Sequence, residues 1–313
     1  MPAPFTHQFI CGEGFARVNQ GEMFPDDLRQ LLGSHYQFVY LGSETPDLPY
    51  LSFAGETNWA DVMHYEKTNS LVINGFEALR LRWPYKTPAD EAKLAWLLGY
   101  ASHTIADATI HPIINATVGP YQVHPEEHRL CEMTQDSLLF HDLSGSELGY
   151  AEWSDNLKFC RESPHFEELL EFWKEHLLAS YPNLAGEPEP GLWFTTYTTA
   201  IDAAEDDFGV VALFRHLGLG KKYIYRTAAE IRQNSPNDVR DYYDQVKLPT
   251  GQIGHFKEDG FDKAVKHIVD AWASMYQSIT SFGLDISMII RNWNLDTGVD
   301  MNNIPALSFW GEL

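Results

Sequence analysis

The sequence predicts an all-α protein, and two observations favour this fold class. Residues 87–111 carry the start signals and the apolar content of one long helix. Residues 166–173, 200–217 and 261–279 repeat apolar side chains at intervals of three and four, which is the period of an amphipathic helix. No glycine-rich phosphate loop, Cys-x-x-Cys pair, nucleophile elbow or internal repeat accompanies this helical pattern.

The long helix has a well-marked beginning. Thr87 suits the N-cap, Pro88 suits the first helical position, and Asp90 and Glu91 place negative charge in the first turn, where the helix dipole favours it. Apolar residues then follow nearly all round the helix, so we expect it to be buried at the centre of the fold. Pro112 follows directly and is expected to end the helix, because proline lacks a backbone N–H.

Two later segments are expected to lie outside helices. Residues 182–190 begin and end with proline and predict a loop or a lid. Residues 295–300 faintly resemble a calcium-binding loop, but they lack its full ligand spacing, and we interpret them as an ordinary turn.

We expect one compact unit over residues 1–313. With 44% hydrophobic residues the chain can bury a single large core, and no linker rich in proline, glycine or serine divides it. Within this unit we distinguish a half with metal-ligand-type residues, 1–145, and a helical extension, 146–313, that is a candidate for a substrate pocket or a partner surface.

Composition disfavours several partners and locations. The formal net charge of −22 repels nucleic acids and anionic membranes, although it could also serve solubility alone. No apolar run approaches the roughly 20 residues that span a bilayer. The first 30 residues lack a secretory signal, and three scattered cysteines fit a reducing compartment, so we expect a cytoplasmic protein of undetermined oligomeric state.

Three metal-ligand-type side chains share one face of the long helix. His103, Asp107 and His111 follow each other at intervals of four, so they lie nearly above one another. Such groups in a buried helix cost free energy unless they are paired or bind a metal. The spacing therefore predicts a site for a divalent metal ion.

Further residues of the same types occur before position 136, and each has an ordinary alternative. His128 and Glu132 form a second pair at helical spacing, which also occurs on solvated helices. His7, Asp47 and His64 are common residues when taken singly, since a lone histidine is often a hydrogen-bonded core group and Pro-Asp is a frequent turn element.

The order of these residues resembles the zinc-dependent phospholipase C family. The shared pattern is an early histidine, a Pro-Asp in a loop, a single histidine, then His-x-x-x-Asp-x-x-x-His and finally His-x-x-x-Glu. The family takes in the amino-terminal domain of glycosylphosphatidylinositol-specific phospholipase D, which residues 102–111 resemble most, and is related distantly to S1/P1 nucleases. The resemblance covers about residues 1–140 and implies a compact multi-helix bundle, with the later residues as a helical extension.

The resemblance also implies two or three zinc ions and the residues that hold them. The implied ligands of one zinc are Asp47, His64, His103 and Asp107, and those of a second are His111, His128 and Glu132. Asp107 would bridge to a third zinc that His7 binds. Secreted members bind that third ion through an amino-terminal tryptophan, whereas this sequence begins with Met1. The resemblance therefore leaves both two ions and three ions open.

The expected activity follows from the resemblance. It implies a hydrolase that cleaves a small-molecule or lipid phosphodiester with metal-activated water, and it implies Asp47 as a ligand and general base. Two alternatives stay open: a metal-stabilised binding or scaffold protein, and a nuclease or non-phosphate hydrolase on the same scaffold. A nuclease is disfavoured because no basic track for a polynucleotide backbone is evident.

Overall fold

The computed structural model describes residues 4–21, 24–51, 57–148, 155–206, 210–211, 223–281, 284–302 and 306–312. These residues form mainly α-helices, so the all-α prediction is confirmed. The helices are α1 (Pro4–Gln20), α2 (Asp26–Ser34), α3 (Tyr36–Glu44), α4 (Thr57–Tyr65), α5 (Ser70–Arg80), α6 (Pro88–Val118), α7 (Pro125–Ser144), α8 (Asp155–Glu162), α9 (Phe166–Ser180), α10 (Pro190–Asp206), α11 (Ala228–Asn234), α12 (Pro236–Val239) and α13 (Asp262–Thr280).

Short strands form three two-stranded antiparallel sheets in the described residues. They are β1 (Val210–Val211) with β2 (Tyr223–Ile224), β3 (Val246–Lys247) with β4 (Ile253–Gly254), and β5 (Ala306–Leu307) with β6 (Gly311–Glu312). None of the described helices combines the length and the apolar composition needed to cross a bilayer. The three cysteines are free and buried.

Helix α6 lies at the centre, with α3, α13, α5, α7 and α1 packed around it. It begins with a capping box, in which the Thr87 side chain accepts a hydrogen bond from the Asp90 N–H and Asp90 accepts one from the Thr87 N–H, as the start signals predicted. The prediction that Pro112 ends this helix is wrong, because α6 continues to Val118. Proline removes one backbone hydrogen bond, but 25 of the 31 residues of α6 are buried, and their packing outweighs that local cost.

Helices α3 and α6 cross in backbone contact at two glycines. A Cβ atom on Gly42 would lie 2.1 Å from the carbonyl oxygen of Trp96, and one on Gly99 would lie 2.0 Å from that of Val39. Real Cβ atoms do not approach that closely, so only glycine allows this crossing. Trp96 strengthens the contact, since its Nε1–H donates a 2.9 Å hydrogen bond to Thr45 Oγ1 just after α3.

Helix α1 is tied to α7 by a buried carboxyl group. Asp136 Oδ1 accepts hydrogen bonds from the Thr6 N–H and hydroxyl, at 3.0 and 2.6 Å, and Oδ2 accepts one from the Tyr225 hydroxyl at 2.9 Å. Burial nevertheless raises the pKa of Asp136 to about 7, since the desolvation of the charged form outweighs these bonds. The carboxyl group therefore joins the first turn of α1 to α7.

The later helices agree with the sequence in two of three cases. The helices predicted at 166–173 and 261–279 are present as α9 and α13. The helix predicted at 200–217 is present in α10 up to Asp206 and is wrong at Val210–Val211, which pairs with Tyr223–Ile224 as a strand. The remaining positions of that prediction lie outside the described residues, while the predicted loop at 182–190 is confirmed up to the first residue of α10.

Replacing Gly99 by alanine is expected to lower the free energy of unfolding by about 3 kcal/mol, because the new Cβ would force the α3 and α6 backbones apart. Gly33→Ala is the matched control in α2, where a Cβ would meet only the Phe15 ring at 3.6 Å and should slightly stabilise the helix. Urea unfolding of both variants measures the difference. Equal stabilities of the two variants would contradict the close-contact account.

Asp136→Asn is expected to stabilise the protein above pH 7. A raised folded-state pKa means that the stabilising effect of the wild-type carboxyl is full below about pH 4 and is lost as the pH rises towards 7. Asparagine keeps the acceptor for Thr6 but never ionises, so the gain at pH 8 should be roughly 2–4 kcal/mol. Urea unfolding at pH 5 and pH 8 tests this, and a gain that does not grow with pH would refute it.

Candidate metal centre

All eight predicted ligand-type side chains are buried and project from five parts of the fold. Helix α1 supplies one, the turn after α3 a second, α4 a third, α6 three and α7 two. In chain order they are His7, Asp47, His64, His103, Asp107, His111, His128 and Glu132. None of them is more than 8% exposed, which is the value for Asp47. The bundle thus collects imidazoles and carboxylates in its interior rather than on its surface.

Asp47, His64 and His103 form the first compact group. Each offers one ligand-type atom, and the three atoms lie within 4.8 Å of one another. Asp47 Oδ1 is 3.1 Å from His64 Nε2 and 4.0 Å from His103 Nε2. A carboxylate oxygen and two imidazole nitrogens at this separation have the types and spacing of ligands to one divalent ion.

Asp107 connects this group to a second one. Its Oδ2 lies 3.3 Å from His103 Nε2 and 4.0 Å from His64 Nε2. Its Oδ1 lies 3.4 Å from His7 Nε2, and His7, His103 and Asp107 form the second compact group. The imidazole rings of His7 and His103 are stacked, with centroids 4.2 Å apart. The two oxygens of one carboxylate therefore face different histidines.

The remaining predicted residues meet around Glu132. Its Oε1 is 3.9 Å from His111 Nε2 and 4.0 Å from His128 Nδ1. His111 and His128 each pair with Glu132, and the three residues are less closely gathered than the two groups that contain His103. Arg129, which the sequence analysis did not select, holds the other oxygen of Glu132 at 3.0 Å.

Backbone carbonyl groups orient the two central histidines. His64 Nδ1 lies 2.7 Å from the Ala60 carbonyl oxygen, one turn earlier in α4, and His103 Nδ1 lies 2.8 Å from that of Ser43 in α3. A carbonyl oxygen only accepts, so Nδ1 carries the proton in both rings. In the neutral ring the lone pair is then on Nε2, which faces the carboxylates, and neutral imidazole is the form that binds metals.

Backbone carbonyl groups also orient His111 and His128, the two histidines beside Glu132, but they do so through different ring nitrogens. His111 Nδ1 donates to the carbonyl oxygen of Leu295, far away in the sequence. His128 is reversed, because its Nε2 donates to the carbonyl oxygen of Gly119 and its Nδ1 faces Glu132. Each ring thus presents one unprotonated nitrogen towards the carboxylates.

Burial and the charges of neighbouring side chains shift the pKa values of these groups in opposite directions. Burial alone would raise the pKa of Asp107, but the imidazoles of His103 and His111 outweigh it and hold that pKa well below its usual range. Burial would lower the pKa of His103, yet the carboxylates of Asp107 and Asp47 raise it to about 9, so without a metal its Nε2 also carries a proton at pH 7, which a zinc ion would have to displace. Burial lowers the pKa of His111 to about 4, so this ring is neutral at pH 7.

The cluster leaves many buried polar atoms without a hydrogen bond from the described part of the chain. These atoms are His7 Nδ1 and Nε2, Asp47 Oδ1, His64 Nε2, His103 Nε2, Asp107 Oδ1 and Oδ2, His111 Nε2 and His128 Nδ1. Buried polar atoms rarely stay unpaired, because each one costs free energy. A divalent cation would satisfy several of them at once, and nitrogen with carboxylate oxygen is a donor set that zinc accepts. The residues present therefore fit a zinc site.

Sequence reasoning missed several groups around the cluster. Arg129 precedes Glu132 by three residues, a helical spacing that could have revealed it. Glu44 is fully buried and accepts a 2.6 Å hydrogen bond from the Tyr197 hydroxyl, a partner distant in the sequence. The carbonyl group of Leu295 had no signal at all, because every residue type carries a backbone carbonyl.

A helical bundle with a buried cluster of histidines and carboxylates is the architecture of a metal-dependent helical protein. Comparison with family models agrees, since the model for zinc-dependent phospholipase C matches residues 6–185, more than half of the chain. The protein belongs to the zinc-dependent phospholipase C family, and the resemblance noted in the sequence is confirmed. The matched range includes all eight ligand-type residues. Comparisons with curated proteins and with solved structures gave no significant match.

Zinc is expected to stabilise the metal-free chain. At a free zinc concentration about a thousand times the Kd, zinc binding should raise the free energy of unfolding by about 4 kcal/mol. Thermal unfolding with EDTA, with zinc and with magnesium measures the effect. Magnesium should give little shift, because it prefers oxygen ligands and the cluster offers mainly nitrogen. A Tm that does not respond to zinc would count against the site.

Proposed function

We propose that the protein is a zinc-dependent hydrolase that cleaves a phosphodiester, as a phospholipase C does. The main support for this proposal is the position of Asp107, a fully buried carboxylate whose Oδ1 faces His7 and whose Oδ2 faces His103. A carboxylate in that position suits neighbouring cations, because it can bind one with each oxygen and reduce their repulsion. Neighbouring cations are a common means of stabilising phosphoryl displacement.

The proposed ligands follow the groups described above. One zinc would be held by Asp47, His64, His103 and Asp107, and another by His111, His128 and Glu132. His7 and Asp107 would hold a third, so that the proposed count is two or three ions. When bound, zinc supplies a Lewis acid that lowers the pKa of a water molecule towards 7 and offsets the charge of a phosphoryl group.

We assign the general-base role to Asp47. Its side chain is 10% exposed, more than that of any other candidate ligand, so water can reach its edge of the cluster. Burial would raise the pKa of Asp47, but His103 and His64 outweigh this and lower it, which keeps the carboxylate ionised at neutral pH. The ionised carboxylate can accept a hydrogen bond from an attacking water, orient it and take its proton.

The substrate is expected to be a lipid or small-molecule phosphodiester. The chain as a whole is strongly acidic, with a formal net charge of −22, and would repel an extended polyanion. A single phosphodiester needs favourable charge only within the site, where bound cations would dominate the local field. This charge balance supports a small substrate over a nucleic acid.

Elemental analysis and turnover of chromogenic phosphodiesters, with and without a chelator, test the proposal. Wild-type protein should contain zinc, hydrolyse a nitrophenyl phosphodiester and lose that activity in the chelator. Asp107→Asn should lower the zinc content and reduce kcat at least about a hundredfold, since an amide is a poor bridging ligand. Asp26→Asn, at an exposed position of α2, is the control and should leave both unchanged.

Three outcomes separate the alternatives. Zinc content without turnover of any phosphodiester would favour a metal-stabilised scaffold. Turnover of carboxylic esters alone would favour a non-phosphate hydrolase. Full zinc content and activity in Asp107→Asn would refute the ligand assignment itself.

A further inference from the structure

A segment near the carboxyl end of the chain holds two of the candidate ligands. We define the carboxy-terminal clasp as residues 292–302 and 306–312, which lie beyond the range of the family match. Within it, the Leu295 N–H donates a 2.9 Å hydrogen bond to the carbonyl oxygen of His64. The carbonyl oxygen of the same residue accepts the hydrogen bond from His111 Nδ1. Leu295 therefore contacts α4 at His64 and α6 at His111, and both of these histidines are candidate ligands.

Contacts on both sides of Leu295 fix the clasp to these helices. The Tyr65 hydroxyl donates a 2.7 Å hydrogen bond to Asp296 Oδ2, and Asn115 Nδ2 donates one of 2.6 Å to the Asp296 carbonyl oxygen. The Thr68 hydroxyl donates to the carbonyl oxygen of Trp293 at 2.8 Å. The clasp thus joins the end of α4 and the residues after it to the second half of α6.

Gly298 packs the clasp against α6 beside Pro112, the proline inside that helix. Its φ of +69° lies in the left-handed region, and a Cβ there would lie 2.6 Å from both the Ala108 carbonyl oxygen and Pro112 Cγ. Glycine is therefore needed for both the turn and the approach. The prediction of an ordinary turn at 295–300 omitted this tertiary role.

The end of the clasp makes a second attachment to α6. Trp310 Nε1 donates a 2.8 Å hydrogen bond to the carbonyl oxygen of Thr109, two residues before His111. The Lys263 ammonium group of α13 lies 3.7 Å from the centre of the Trp310 ring, in cation–π contact. Residues on both sides of His111 are thus held by the clasp.

We infer that the carboxy-terminal clasp is a positioning element of the zinc site, which sets the orientation of the His111 ring and its placement relative to His64. The inference rests on the proposed function, because it concerns zinc bound by these histidines. Hydrogen bonds that orient a ligating histidine typically contribute 10–100-fold to metal affinity, and here the acceptor belongs to the clasp. The metal-binding half, 1–145, then depends on residues near position 295 for full affinity.

Zinc affinity of clasp variants, measured by competition with a chromophoric chelator, tests this inference. Gly298→Ala should weaken zinc binding about 10–100-fold, because the new Cβ pushes Leu295 away from His111. Trp310→Phe keeps an aromatic ring over Lys263 but loses the bond to Thr109, and should weaken binding about tenfold. This milder variant keeps the test decisive if Gly298→Ala does not fold.

Gly145→Ala is the matched control. Its φ of +71° gives the same backbone strain as at Gly298, and a Cβ there meets nothing within 4 Å, so its zinc affinity should stay within about twofold of wild type. The absorption spectrum of bound cobalt(II), which reports ligand geometry, should change in both clasp variants and not in the control.

The outcomes separate the inference from the proposed function. Clasp variants that lose stability in EDTA but keep wild-type zinc affinity and cobalt spectra would overturn the inference and leave the proposed function intact. A wild-type chain that binds no zinc would overturn the proposed function, and the inference with it.

Discussion

The carboxylate of Asp107 is fully buried, and neighbouring imidazoles hold its pKa well below its usual range. It lies on the central helix α6 and is fully shielded from solvent. An ionised group in such a place costs several kcal/mol unless positive charge lies beside it. The His103 imidazole, whose pKa this carboxylate raises, lies 3.3 Å away, and the rings of His7 and His64 lie at 3.4 and 4.0 Å, so α1, α4 and α6 must converge here. The fold of the amino-terminal half can be understood as the helical arrangement that makes this convergence compatible with a packed core.

Backbone groups, more than side chains, give the cluster its precision. The α3–α6 crossing at Gly42 and Gly99 brings the Ser43 carbonyl to the ring of His103, and regular helix geometry brings a carbonyl of α4 to His64. Carbonyl groups in well-packed helices move little, so the rings that they orient are held before any ion binds. The clasp does the same for His111 from outside the family-matched region. Because rigid backbone groups fix the orientation of each ring through one nitrogen, the other nitrogen points towards the carboxylates, where a metal would bind.

The sequence predicted those parts of the site that lie along one helix. His103, Asp107 and His111 share a face because helical spacing is local, and the start of α6 was evident from its capping residues. The end of α6 could not be predicted in the same way. The helix continues past Pro112 because it is buried, and that burial depends on neighbours from the whole chain. Convergence of residues from separate helices is likewise a tertiary property, and only the family resemblance indicated it. The carbonyl of Leu295 was beyond any such reasoning, since a backbone acceptor has no signature in the sequence.

The central claim is that these buried side chains converge around shared zinc ions. Anomalous diffraction from zinc-loaded crystals, collected on both sides of the zinc absorption edge, tests it most directly. We expect anomalous peaks among His64, His103 and Asp107 and beside Glu132, each about 2.0–2.2 Å from imidazole nitrogens or carboxylate oxygens. Anomalous density confined to the protein surface, with these side chains paired only to one another, would contradict it.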